Sequence, residues 1–159
     1  MRRLIAALLA VSLLLLSATA VAAADPPQYT LDPVSCQVSD ANGNVLDEPV
    51  VPAGSEVIIF EGWITHTRGQ LQSFLINVTW VLTVNGQSVD VRPYLTGLLD
   101  FGSIWGDLFF YSAGTLESGD ELHTHYDNVL RSASYDGFVH WPKGSVYGGG
   151  VDCTVTVAG

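Results

Sequence analysis

Phe74-Leu75-Ile76-Asn77-Val78-Thr79-Trp80-Val81-Leu82-Thr83-Val84, followed by Asn85-Gly86, is the stretch on which the fold reading turns. Phe74, Ile76, Val78, Trp80, Leu82 and Val84 alternate with Asn77, Thr79 and Thr83, the two-residue period of a half-buried strand. Leu75 and Val81 break the alternation. Asn-Gly is the strongest two-residue hairpin signal, because both positions tolerate positive φ. Counting outward from that turn pairs Leu82 with Val89 and Trp80 with Val91. The apolar faces match in this register; a slip of one residue would turn Val89 and Val91 into water.

The same alternation recurs on either side. Strands are expected at Glu56–Ile64, Leu108–Ser112, Glu121–Asp127, Asn128–Ser132 and Val151–Val157, with turns at Asn42-Gly43 and Pro52-Ala53-Gly54-Ser55. Val57-Ile58-Ile59-Phe60 is apolar on both faces, which predicts a central strand partly covered on its outer side. No long segment after residue 24 carries a helical period. Seven to nine short strands without helices predict two packed antiparallel sheets, an all-β sandwich in one domain spanning residues 25–159.

Residues 1–24 read differently. Met1-Arg2-Arg3, the apolar run Leu4–Val21 and Ala22-Ala23-Ala24 have the three parts of a secretory signal peptide, with cleavage expected after Ala24. No second apolar run is long enough to cross a bilayer, so no membrane insertion is expected after cleavage. Removing Arg2 and Arg3 leaves four basic residues, Arg68, Arg92, Arg131 and Lys143, against sixteen acids, a formal charge of −12. Such a chain lacks the basic footprint of a nucleic-acid binder. Cys36 and Cys153 are the only cysteines. In an exported chain they are expected to form one disulfide, each from the apolar face of a strand, tying the first strand to the last.

Leu116-Glu117-Ser118-Gly119-Asp120-Glu121-Leu122 resembles the Leu-x-x-Gly-Asp corner of immunoglobulin-like and fibronectin-like sandwiches. Val51-Pro52-Ala53-Gly54-Ser55-Glu56-Val57 is similar to the Pro-x-Gly strand entry of bacterial extracellular sandwiches. The Cys…Trp…Cys spacing of antibody domains is absent, as is the corner tyrosine near Asp120. The resemblance implies an immunoglobulin-like architecture and a secreted binding or adhesion role. It carries no functional residue across.

Three segments carry candidate sites. Gly97–Asp107 and Trp141–Gly150 are aromatic and glycine-rich, and Trp105, Phe101, Trp141 and Tyr147, with Asp100 and Asp107, form a candidate ligand surface for an extracellular protein or glycan. The competing reading is that these rings cap the sandwich core. His123-Thr124-His125-Tyr126-Asp127 places His123, His125 and Asp127 on one strand face, a candidate zinc or copper site whose competing reading is a solvated polar face. Asp40-Ala41-Asn42-Gly43-Asn44 begins like a calcium loop, but Val45 and Val51 stand where its Gly and Glu belong, so it reads as a turn. Asn77-Val78-Thr79 has the form of a glycosylation sequon. There is no nucleophile elbow, phosphate loop or His-Glu-x-x-His motif, so no catalytic residue and no cofactor is assigned. The reading is a secreted, non-enzymatic binding protein; the alternatives are a metal-binding sandwich and a glycan hydrolase using paired acids such as Asp100 and Asp107.

Overall fold

The computed structural model describes residues 25–158, so the expected signal peptide lies outside the described residues. The chain folds as β1 (Gln28–Asp32), β2 (Gln37–Asp40), β3 (Val50–Pro52), β4 (Ser55–Thr65), α1 (Arg68–Asn77), β5 (Val78–Val84) and β6 (Gln87–Ser88), followed by a 3-10 turn at Arg92–Tyr94. It continues through β7 (Leu99–Asp100), β8 (Trp105–Leu116), β9 (Glu121–Leu130), β10 (Ser134–Tyr135), β11 (His140–Trp141), β12 (Gly144–Ser145) and β13 (Val151–Ala158). One sheet has the order β2-β1-β4-β8-β7; the other runs β3-β13-β9-β5-β6, with β12 also paired to β9. The class is all-β and the arrangement is sandwich-like. No described helix is long and apolar enough to cross a membrane.

The structure departs from the expectations at three places: strand direction, the Phe74–Val84 stretch and the setting of Cys36. The sheets are mixed rather than antiparallel throughout: β1 runs parallel to β4, and β3 parallel to β13. After the β1–β2 hairpin the chain crosses to the second sheet as β3, then returns as β4 beside β1 in the same direction. Local turn signals are blind to such non-local pairing.

Nor is Phe74–Val84 a single strand. Phe74–Asn77 closes a helix, and only Val78–Val84 is strand. Thr67 caps the helix: its Oγ1 accepts from the Gln70 N–H at 3.3 Å, and the Gln70 Oε1 accepts from the Thr67 N–H at 2.9 Å. This reciprocal pair satisfies donors that a helix start would otherwise leave unpaired. Leu71 and Phe74, three apart, face the core, while Ile76 stands exposed on the opposite side. The hairpin register is as expected: Asn85 and Gly86 have φ of 50° and 77°, Val84 faces Gln87, and the Val89 N–H donates to the Leu82 carbonyl at 2.8 Å.

The main core fills the space between the sheets with Leu31, Val57, Ile59, Leu82, Phe109, Leu122, Tyr126 and Val155. Alternation along β4 turns Val57, Ile59, Glu61 and Trp63 to this side, so one carboxyl enters an apolar layer. Burial, with the Asp32 carboxylate nearby, pushes the Glu61 pKa up to about 7. On the outer face of β4 and β8, Phe60 and Phe110 pack at 5.0 Å, leaving Phe110 half exposed. The partial cover expected there is thus one ring beside another.

Cys36 and Cys153 are bonded and connect the two sheets. Cys153 lies buried in β13, but Cys36 is in the turn after β1 rather than on a strand face. Asp32 closes that turn by accepting from the Val34 and Ser35 N–H groups, and Cys36 takes a left-handed φ of 57° before β2 begins. Asp40 forms a comparable turn. Its carboxylate accepts from the Asn44 side chain and from the Asn44 and Asn42 N–H groups, which hold its pKa below the usual carboxylate range.

Candidate binding surface at the tryptophan-rich end

All four tryptophans meet at one end of the sandwich. Trp63 is buried there with Leu71, Phe74, Val78 and Leu130, and Trp80, Trp105 and Trp141 pack around them. Trp63 stacks on Phe74 at 4.0 Å and receives the edge of Trp141 at 5.3 Å. The helix brings this about: its Leu71 and Phe74 fill the open end between β4 and β5 and supply the floor on which the indoles pack. The Arg68 guanidinium, on the first helical turn, stands 5.7 Å over the Trp105 ring.

A short hairpin, β10–β11, lies across this end, pairing Ser134 with Trp141 and Tyr135 with His140. Asp136 organises its tip. The carboxylate accepts from the Phe138 and Val139 N–H groups, both at 2.7 Å, and from the Trp141 indole N–H at 2.6 Å. Burial pushes the Asp136 pKa up, but these hydrogen bonds outweigh it and hold the carboxyl below its ordinary value. The His66 N–H donates to the Asp136 carbonyl at 3.0 Å, docking the tip onto the segment that leads into α1. Gly137, with φ of 99°, sits where a Cβ would lie 2.5 Å from the His66 Cβ. Asn77 clamps the other end of the helix: its side chain donates to the Ser132 carbonyl and accepts from the Ser132 N–H and hydroxyl.

The hairpin leaves apolar surface facing outward. Tyr135, Phe138 and Val139 are each 45–49% exposed. Tyr135 stacks against His140 at 4.3 Å, and Phe138 rests on His66 at 4.3 Å. Phe101 and Ile64, also about half exposed, both lie over Gly106. Open grooves flank the hairpin: one of about 750 Å³ against α1, lined by Gln70, Ser73, Ile76 and Tyr135, and one of about 420 Å³ bordered by Tyr135, His140, Trp141 and Pro142.

The residues expected to form the ligand surface are thus divided. Trp105 and Trp141 share the tryptophan cluster, each partly covered, as the core-capping reading describes. Phe101 points outward. Asp100 accepts from the Gly102 N–H within its own turn, while Asp107 is buried and accepts from the Gly97 N–H at 3.0 Å. Burial raises the Asp107 pKa against the pull of those hydrogen bonds. Tyr147 belongs to the other cluster, packed 5.9 Å from Tyr126 in the main core, where burial and the Glu61 carboxylate push its hydroxyl pKa up.

His123 and His125 do share a face of β9, opposite Thr154 and Asp152 of β13. The His123 ring reaches Thr154 at 3.0 Å and Glu121 at 3.1 Å; His125 reaches Asp152 at 2.8 Å. Asp127 is not brought to them. It is buried, and its carboxylate accepts from the Asn128 and Tyr147 N–H groups. Among the described residues no group of three or more His, Cys, Asp and Glu is placed to hold a metal ion.

Tyr135 and Phe138 were not singled out from sequence. The signal was Asp136-Gly137, a turn dipeptide flanked by aromatic residues. The chain matches no family model, no curated protein and no solved structure.

Proposed function

We propose that the protein is a secreted, non-enzymatic binding or adhesion protein that engages an extracellular target through the tryptophan-rich end. One observation carries this reading: Phe101, Ile64, Tyr135, Phe138 and Val139 stand out around a single end, over the tryptophan cluster. Apolar side chains grouped in this way on the surface of a strongly acidic chain mark a contact surface. The leader-like residues 1–24 support export, and the Cys36–Cys153 disulfide is compatible with an extracellular location.

The test has two parts. Protein recovered from the culture medium of the expressing cell should begin at Asp25; retention of residues 1–24 in the cytosol contradicts export. The doubly substituted Tyr135→Ala/Phe138→Ala protein should lose about tenfold or more in affinity for the cell-surface or glycan target that the unaltered protein binds. Its denaturation midpoint should stay close to that of the parent, because both side chains are half exposed. Unchanged binding contradicts the assignment of the surface.

A further inference from the structure

We infer that the target of this end is an anionic glycan, whose sugar rings lie on the exposed aromatics and whose carboxylate or sulfate groups meet the surrounding cations. The inference rests on the binding role proposed above and adds the chemistry of the ligand.

Charge is distributed very unevenly along the sandwich. Segments 39–56 and 115–121, at the end away from the helix, hold seven acids and no basic residue. Segments 62–78 and 130–146, which build the tryptophan-rich end, hold Arg68, Arg131, Lys143, His66 and His140, all exposed. Their one acid, Asp136, is buried and occupied by three N–H donors. Asp107 beside them is also buried, whereas Asp100, paired across from Trp105, is exposed and accepts from the Gly102 N–H. The remaining cation, Arg92, is committed to Asp90 at 2.7 Å. Solvent at this end therefore meets rings, and three exposed basic residues, Arg68, Arg131 and Lys143, against the single exposed acid Asp100.

Rings and cations together fit an acidic sugar better than a neutral one. The stacked Tyr135–His140 pair and Phe138 present flat apolar faces of the kind that pack on the C–H face of a sugar ring. Arg68 lies two residues past His66, on which the hairpin tip docks, and Lys143 two residues past β11; both are exposed and offer the donors that carboxylate and sulfate oxygens require. The grooves beside the hairpin, about 750 and 420 Å³, have the size of small-ligand sites. The seven acids of the far end do not oppose this. The acidic end lies beyond the length of β4, an 11-residue strand, or roughly 30 Å at about 3.3 Å per residue. At physiological salt that is several screening lengths of about 8 Å.

The experiment is calorimetry on the mature protein, residues 25–159, at about 150 mM salt. The titrants are oligogalacturonate, a sulfated glycosaminoglycan fragment and a neutral β-glucan oligosaccharide of equal length. At least one acidic oligosaccharide should bind about tenfold or more tighter than the neutral one, and raising salt to about 500 mM should weaken it severalfold. Arg68→Gln/Lys143→Gln should lose about tenfold toward that acidic ligand, with an unchanged denaturation midpoint. Equal binding of acidic and neutral sugars overturns the anionic inference while leaving the binding role standing. No heat with any of the three overturns it as well. So does an Arg68- and Lys143-dependent increase in mass with concentration in sedimentation, without sugar binding, since that would make the acidic end of a second copy the partner. Loss of acidic-sugar binding on Arg68→Gln/Lys143→Gln, but not on Tyr135→Ala/Phe138→Ala, sustains the charge inference and contradicts the aromatic surface.

Discussion

Glu61→Gln should make the protein more stable at alkaline pH and leave it unchanged at acid pH. Glu61 lies on the core side of β4 between Ile59 and Trp63, and the titratable groups that face it are Asp32 on β1, Tyr126 on β9 and Tyr147 in the loop before β13. Burial first, then the Asp32 carboxylate, lifts its pKa from 4.5 to about 7. The folded state therefore holds a proton that the unfolded chain releases at lower pH. Glu61 costs nothing below about pH 4.5; stability falls as pH rises from there to about 7, and the loss is complete above. At 1.36 kcal/mol per pH unit the ceiling is about 3 kcal/mol. Glu61 keeps partial contact with solvent, so about half of that is expected. Glutamine keeps the shape and carries no charge. Urea denaturation of both proteins at about pH 4.5, 6 and 8 should give a difference near zero at the first value, growing to about 1–2 kcal/mol in favour of Glu61→Gln at the last. A difference independent of pH, or a parent more stable at pH 8, would refute the placement of this carboxyl between the sheets.

Two further outcomes follow from the packing. Breaking the Cys36–Cys153 bond by Cys36→Ser/Cys153→Ser reopens a 117-residue separation and should cost about 4–5 kcal/mol on the chain-entropy account, read from denaturant midpoints; a loss under about 1 kcal/mol contradicts a clasp between the sheets. Gly137→Ala forces a side chain into a left-handed φ and against the His66 Cβ, and should cost about 1–3 kcal/mol by the same measurement, whereas a neutral result would mean that the hairpin tip is not docked on the entry to α1.

Much of the sheet was legible because its signals are local. The alternation over Glu56–Ile64 and Val151–Val157 sits inside observed strands, and Asn85-Gly86 fixed a register that the structure keeps. The Cys36–Cys153 pairing followed from there being only two cysteines. The helix was missed because Phe74-Leu75-Ile76 is apolar enough to extend the strand pattern backward, while the opposing signal, Thr67 followed three residues later by Gln70, is a capping box with few apolar residues behind it. Parallel pairing of β1 with β4 joins residues 28 apart at the closest register and leaves no short-range mark. The tryptophan cluster has the same origin: Trp63, Trp80, Trp105 and Trp141 lie on four different strands and meet only when both sheets are closed. Glu61 was readable as an acid on the inward phase of an alternating strand, between Ile59 and Trp63.

The proposed contact surface is the tryptophan-rich end. Backbone and indole N–H chemical shifts, followed during titration with the tightest ligand, test it most directly. Perturbations are expected at residues 64–70 and 132–143 and at the Trp105 and Trp141 indoles, with residues 40–48 and 117–125 unmoved. Shifts confined to the acidic end, or to the His123–His125 face of β9, would contradict it.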